Sequence, residues 1–174
     1  MTLLLTTQHI QMLQADAQQA YPHEGCGLLL GVFDPVIDQR TLTEIRLLAN
    51  AWEPELVADL AELSAPGIAT PTKSRRYWID PKDMLAAQRD ARERGLSIIG
   101  VYHSHPNHVA VPSECDRTLA WSDYSYLIVS VQNGSAVDLQ CWQLDAQHQF
   151  QSEPMTITEG GAHVAPKRIK SLSA

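Results

Sequence analysis

Two histidines and an aspartate in the middle of this 174-residue sequence have side-chain types that bind transition metals. His103 and His105 stand two residues apart at the end of the apolar run Ile98 to Tyr102, which predicts a buried strand. Because strand side chains repeat every second residue, both imidazoles are expected to point to the same side. Asp116 follows within the same stretch of 14 residues, so three potential ligands lie close together in the sequence.

Ser113 predicts how Asp116 reaches the histidines. Ser113 is a natural N-cap for a helix running to about Ser122, and Asp116 falls in its first turn. Two imidazoles and one carboxylate leave the fourth position of a tetrahedral zinc open for water, as in catalytic rather than structural zinc sites. The plainer interpretations are histidines in the core or on the surface, and a Ser113–Asp116 pair that only caps a helix.

A hydrolytic zinc site also needs a proton acceptor, and carboxylates serve in several metallopeptidases. The local sequence does not choose among the acidic residues. Glu24 stands before the apolar run Cys26 to Phe33, a predicted buried strand, with Pro22 and Gly25 beside it. An acidic residue that enters a core is either paired or functional, and the alternative is an exposed glutamate in a loop.

The elements that must position these residues are predicted from periodicity and from breaker residues. Besides the helix at Ser113, helices are predicted from Thr7, as the cap, to about Ala20 and from Asp80 to Arg94. Strands are predicted over 26–33, 41–48, 98–102, 124–131, 136–144 and 150–157. Asn133-Gly134 predicts a hairpin turn. This pattern predicts one α/β or α+β domain over residues 1–174, with a mixed sheet.

Two segments are expected to be flexible. Residues 52–76 contain a cluster of breaker residues from Ser64 to Thr72 and are predicted to be a loop insertion. Connections of this length are either disordered or functional, here as a flap that handles substrate. Residues 160–174 are predicted to be a flexible tail.

Composition argues against several classes of partner. The net charge is −7 without a long Lys/Arg stripe, which disfavours nucleic acid. No apolar run approaches the roughly 20 residues that a bilayer requires, so no membrane partner is expected. Neither is a secretory signal evident. Cys26, Cys115 and Cys141 are widely spaced and indicate no disulfide framework, which favours a reducing cytoplasm.

The run His103-Ser104-His105-Pro106, followed by Ser113 and Asp116, resembles the JAMM motif. Upstream, residues 22–31 resemble the segment that carries the conserved glutamate of that family. The chain thus resembles the JAMM, or MPN-plus, metallopeptidases (Mov34/MPN/PAD-1), and within them the prokaryotic single-domain branch. The resemblance extends from the first predicted helix to the predicted hairpin. It implies a cytidine-deaminase-like fold with a central mixed β-sheet flanked by helices.

The resemblance also implies a role for each site residue. His103, His105 and Asp116 become ligands of one Zn²⁺ per chain, Glu24 becomes the general base, and Ser113 helps to stabilise the developing oxyanion. Ser104 and His108 also lie within the matched segment, and neither is assigned a catalytic role.

The activity implied by the resemblance is hydrolysis of a peptide or isopeptide bond after the C-terminus of a ubiquitin-like sulfur-carrier protein. The alternatives are a non-catalytic MPN scaffold that only binds partners, and a general zinc peptidase. A zinc deaminase is disfavoured because its signature, His-x-Glu with Pro-Cys-x-x-Cys, is missing from the sequence. The oligomeric state is not predicted.

Overall fold

The computed structural model describes residues 1–53 and 72–159, and within these ranges eight strands form one sheet accompanied by three helices. In chain order the elements are β1 (Thr2–Thr6), α1 (Thr7–Ala20), β2 (Cys26–Asp34), β3 (Gln39–Leu48), α2 (Pro81–Glu93), β4 (Ser97–Pro106), α3 (Glu114–Leu119), β5 (Ser125–Gln132), β6 (Ser135–Leu144), β7 (Phe150–Ser152) and β8 (Met155–Thr158).

The sheet is mixed, with strand order β7-β6-β5-β4-β2-β3-β1-β8. β4 lies near its middle and pairs antiparallel with β2 and parallel with β5. β1 is parallel to both of its neighbours, β3 and β8. The predicted fold class, a central mixed sheet flanked by helices, is confirmed.

Apolar side chains cover both faces of the sheet. Alternation along β2 sends Leu29 into the cluster that holds Leu13 of α1, and sends Leu28 and Leu30 into the cluster that holds Ala87 of α2. The sheet therefore lies between α1 and α2. Burial on both faces explains why β2 is a nearly continuous apolar run in the sequence.

The start of the chain departs from the prediction. β1 was not predicted, although Leu3 and Leu5 alternate and are buried. The helix cap is Thr6 rather than Thr7: the Thr6 hydroxyl accepts a hydrogen bond from the His9 amide (3.2 Å), and His9 Nδ1 accepts one from the Thr6 amide (3.2 Å). Because β1 runs directly into α1, the extended Thr6 both ends the strand and caps the helix.

Two other predicted elements have different bounds. The strand predicted over 150–157 is two strands on opposite edges of the sheet, since β7 pairs with β6 and β8 pairs with β1. Glu153 and Pro154 separate them, because the buried Glu153 carboxylate turns inward to pair with Arg40 (3.3 Å). The helix predicted to reach Ser122 ends at Leu119, where extended backbone at Ala120 follows.

Much of the predicted loop 52–76, namely residues 54–71, and all of the predicted tail 160–174 lie outside the described residues. At the described flanks of the loop, Trp52 is nearly buried, and the Ala51 amide donates to the Trp78 carbonyl (2.9 Å). Among the described helices, none is both long enough and apolar enough to cross a bilayer.

Candidate metal centre

Strand β4 carries the two histidines. The strand extends to Pro106, so His103 and His105 lie within it rather than after its end. Val101 belongs to the apolar cluster on the α2 side, and by alternation both histidines share that face. His103 is completely buried and His105 nearly so, and their Nε2 atoms are 3.1 Å apart.

Helix α3 brings the aspartate to the histidines through its N-cap. The Ser113 hydroxyl accepts a hydrogen bond from the Asp116 amide (3.2 Å), and Asp116 Oδ2 accepts one from the Ser113 amide (2.6 Å). Asp116 Oδ1 lies 3.6 Å from His103 Nε2, and Asp116 Oδ2 lies 3.8 Å from His105 Nε2. The cap and the cluster are thus compatible, because the cap holds the carboxylate toward the imidazoles.

The donor atoms fit a metal ion. The two Nε2 atoms are 3.1 Å apart and lie 3.6 and 3.8 Å from the two different oxygens of Asp116, and one donor atom from each residue lies within 4.8 Å of the others. A tetrahedral zinc with bonds of about 2.0–2.1 Å needs donor atoms roughly 3.3 Å apart. His105 Nδ1 lies 2.8 Å from the Val109 carbonyl, which fixes the proton on Nδ1 and leaves the Nε2 lone pair directed at the cluster.

His103 contacts both an aromatic ring and a carboxylate, those of Tyr77 and Asp116. The ring of Tyr77 stacks on the imidazole at 4.6 Å between centroids and 20° between planes. Burial lowers the pKa of His103, while Asp116 opposes that shift. The imidazole is therefore neutral near pH 7 and able to ligate. Its Nδ1 is buried without a hydrogen-bond partner among residues 1–53 and 72–159.

Asp116 is the anionic member of the cluster. Burial acts to raise the pKa of its carboxyl group, but His103, His105 and the Ser113 cap outweigh burial and hold that pKa well below its usual range. A carboxylate that stays ionised beside neutral imidazoles is the protonation state that metal binding requires.

Glu24 lies in the interior, just before β2, and is only 6% exposed, which rules out the exposed loop glutamate. Burial raises its pKa well above the usual value, the charge of Asp116 adds to the rise, and Arg76 opposes it. A raised pKa brings a carboxylate nearer to the value that suits a general base at neutral pH.

Ser104, to which the sequence assigned no role, connects the two parts of the site. Its hydroxyl accepts from the Gly25 amide (2.8 Å), and its amide donates to the Gly25 carbonyl (3.0 Å). The backbone at Gly25 is closely packed, because a Cβ there would lie 2.8 Å from Asp16 Oδ2 and 3.1 Å from the Tyr102 hydroxyl, so a larger residue would require these side chains to shift. The residue next to Glu24 is thereby fixed to the residue between the two histidines.

His108 lies outside the cluster. Its side chain is exposed and its Nε2 lies 3.0 Å from Arg75 Nη2. Its carbonyl accepts a hydrogen bond from Ser130 Oγ (2.6 Å), which holds the loop between β4 and α3. Sequence reasoning missed Tyr77 and Asn50, which acts on the Glu24 backbone, because neither belongs to a spacing pattern with the histidines.

The fold and the site together define an MPN-type domain with a complete set of candidate metal ligands. The chain belongs to the prokaryotic JAB family: the family model described as prokaryotic homologs of the JAB domain matches residues 6–145. It is also 32% identical over 111 residues to a desampylase from Haloferax volcanii, a match that covers 63% of each protein. This chain therefore spans less than two thirds of the length of that relative.

Solved structures agree with this assignment. A solution structure from Desulfitobacterium hafniense is 27% identical, with a TM-score of 0.71 and coverage of 93% of this chain and 97% of the other. One from Salinibacter ruber is 29% identical, with a TM-score of 0.62 and coverage of 91% and 93%. A crystal structure of a JAB1/MPN domain protein from Archaeoglobus fulgidus, 16% identical with a TM-score of 0.50 and coverage of 90% and 97%, shares the fold.

Proposed function

We propose that this protein is a zinc-dependent isopeptidase that hydrolyses the bond after the C-terminus of a ubiquitin-like protein. The observation that carries the proposal is the convergence of His103, His105 and Asp116 within 4.8 Å of one another. The buried Glu24, whose pKa is raised in part by Asp116, supports it. The name of the desampylase relative denotes removal of a ubiquitin-like modifier, which supports the substrate class.

Each residue has a chemical task in this proposal. Zinc would be held by the Nε2 atoms of both histidines and by the Asp116 carboxylate. Zinc bound there would polarise the scissile carbonyl and lower the pKa of the attacking water. Glu24 takes the proton from that water on a carboxylate oxygen and delivers it to the leaving nitrogen as the C–N bond breaks. Since Ser113 Oγ accepts from the Asp116 amide, its own O–H can donate to the oxygen that becomes negative.

The finer part of the proposal is the carrier itself. The resemblance to the prokaryotic branch suggests a sulfur-carrier protein that ends in Gly-Gly. An extended tail of this kind can bind by adding a strand beside a sheet, where backbone hydrogen bonds supply affinity. A reducing cytoplasm suits such a substrate and is proposed as the location.

Zinc binding is tested first. Purified protein should contain about one zinc per chain, and a His103→Ala/His105→Ala double variant should lose it. His108→Ala is the matched control, because His108 lies in the same motif but outside the cluster. Full zinc content in the double variant, measured by elemental analysis, would contradict the ligand assignment.

Activity is tested with zinc-loaded protein on three substrates: sulfur-carrier fusions, ubiquitin fusions and short Gly-Gly peptides. Glu24→Gln is the blank, and its rate should fall by about two orders of magnitude with zinc retained. Faster cleavage of the carrier fusions supports the proposal. Equal rates on free peptides would indicate a general zinc peptidase. No cleavage across a broad carrier panel would favour the non-catalytic scaffold.

A further inference from the structure

We infer that Asn50 is the residue that positions Glu24, an inference that rests on the proposed function of Glu24 as the base. Asn50 follows β3 and is 26 residues from Glu24 in the sequence. Its amide group nevertheless makes a hydrogen bond to the backbone of Glu24 itself.

The Asn50 side chain uses its whole hydrogen-bonding capacity. Nδ2 donates to the Glu24 carbonyl (3.0 Å) and to the Arg76 carbonyl (2.9 Å). Oδ1 accepts from the amides of Trp52 (3.0 Å) and Trp78 (3.2 Å). The partners fix the orientation of the amide, because exchanging Nδ2 and Oδ1 would set donors against N–H groups and an acceptor against carbonyls.

This arrangement immobilises the backbone that carries the base. The Glu24 carbonyl is held by Asn50, and the Glu24 amide donates to the Lys73 carbonyl (2.8 Å). Gly25 is held in turn by Ser104 of β4, at 2.8 and 3.0 Å. Because the Glu24 side chain is buried, its backbone and the surrounding packing determine where the carboxylate points.

The second Nδ2–H bond gives Asn50 a fixed support. Arg76 and Trp78, which it binds, belong to a segment that is also joined to the Ala51 amide through the Trp78 carbonyl (2.9 Å). Asn50 thus links the Glu24 backbone to the segment from Arg76 to Trp78, which is also hydrogen-bonded to Ala51. Asparagine is required, since aspartate supplies no donors and alanine supplies neither donors nor acceptors.

The variants follow from this chemistry. Asn50→Ala removes all four hydrogen bonds, and Asn50→Asp keeps the shape and the two acceptor bonds but loses both donations to carbonyls. Thr6→Ala is the matched control: it also removes a side chain that accepts a hydrogen bond from a backbone amide, at the opposite end of α1 from Ala20 and thus far from the base.

The first measurement does not depend on activity. Amide hydrogen exchange, followed by NMR, should show faster exchange at Glu24 and Gly25 in both Asn50 variants and unchanged exchange at these positions in Thr6→Ala. Zinc affinity, from competition with a chelator, should match that of the wild type, because the ligands lie on β4 and α3. Unchanged protection of Glu24 in Asn50→Ala would overturn the inference, as would loss of zinc.

The second measurement separates positioning from general stability. Turnover of the substrate cleaved by the wild type should fall about tenfold to a hundredfold in Asn50→Ala, with KM little changed. In a Glu24→Gln background the same substitution should leave the residual rate unchanged, because Asn50 then has no base to position.

An equal loss in both backgrounds would overturn the inference. So would failure of both Asn50 variants to fold while Thr6→Ala folds, since Asn50 would then support the whole domain. If the wild type cleaves nothing, the proposed function fails, and the exchange measurement still decides whether Asn50 fixes the Glu24 backbone.

Discussion

Glu24 places a carboxylate where the fold favours a neutral group. Burial first and Asp116 second raise its pKa above the usual 4.5, with Arg76 opposing. An acid whose pKa rises on folding binds more protons in the folded state. Stability therefore falls as the pH rises from the unfolded pKa to the folded pKa. The destabilisation caused by ionised, buried Glu24 is absent below the unfolded pKa and complete above the folded pKa.

Glu24→Gln should therefore stabilise the metal-free protein at about pH 8, and the gain should vanish near about pH 4, where wild-type Glu24 is protonated. Thermal melts in the presence of a chelator measure the difference at each pH. The exposed Glu159→Gln removes the same charge without burial and serves as the control. A wild type more stable than Glu24→Gln at the higher pH would contradict the burial cost.

Ser113 has two separable roles. Ser113→Ala removes the acceptor for the Asp116 amide, which should cost about 1 kcal/mol of stability. The hydrogen bond from the Ser113 amide to Asp116 Oδ2 is kept in this variant, so the zinc content should not change. If the hydroxyl also donates to the oxyanion, turnover should fall by about 10²–10³-fold. Ser113→Thr keeps the hydroxyl and should retain turnover, whereas normal turnover in Ser113→Ala would reduce the role to capping.

At the scale of elements, Ser104 joins β4 to the residues that precede β2. Ser104→Ala would leave the buried Gly25 amide without its partner, at a cost of about 1–3 kcal/mol. Ser97→Ala is the control on the same strand, because Ser97 is exposed and its hydroxyl makes one long hydrogen bond to the Gly31 carbonyl (3.4 Å). Its loss should lower the free energy of unfolding by less than about 0.5 kcal/mol. Urea unfolding measures both variants. Equal losses would show that the Gly25 contact has no special weight.

The main elements were predictable because their signals are local. The apolar run of β4 and the cap before α3 lie close together in the sequence, so the cluster of His103, His105 and Asp116 could be anticipated from strand and helix periodicity. β1 was missed because its neighbours β3 and β8 lie far along the chain. The division of 150–157 depends on Glu153 meeting Arg40, 113 residues away.

The supporting residues of the site could not be predicted for the same reason. Asn50 contacts Glu24 and Arg76 at a separation of 26 residues each, and Tyr77 stacks on a histidine of another element. Nothing in the residue types or spacing relates these positions before the chain folds. Sequence patterns locate groups that share an element, whereas groups that act across elements are found from the three-dimensional contacts.

At the scale of the whole molecule, a buried ion pair ties distant strands together. Arg40 of β3 pairs with Glu153 (3.3 Å), and it also donates to Ser125 Oγ (3.2 Å) and to the Asp123 carbonyl (2.7 Å) beside the start of β5. The Glu153 amide donates to the Cys141 carbonyl of β6 (2.8 Å). The network thus spans the sheet from β3 to β6 and holds the connection between the two edge strands.

Removing one partner of a buried pair leaves the other charge without compensation, so Glu153→Ala should cost about 3–5 kcal/mol in urea unfolding. Glu44→Ala, which breaks partly exposed pairs with Arg46 and Arg94, should cost no more than about 1 kcal/mol. Glu153→Gln provides a milder change if the alanine variant does not fold. A loss below about 1 kcal/mol in Glu153→Ala would show that the pair contributes no more than a surface contact.

The same variant tests whether the site depends on this network. Ser125, which Arg40 contacts, is paired with Gly100, while Ser130 is paired with His105. His103, the nearer histidine of the metal cluster, is paired with Ile128, so three positions of β5 separate it from the network, roughly 10 Å along the strand, and His105 lies two positions further. We therefore expect folded Glu153→Ala to bind zinc as tightly as the wild type, when both are measured at denaturant concentrations too low to unfold the variant. Reduced affinity there would mean that the two ends of the sheet are energetically coupled.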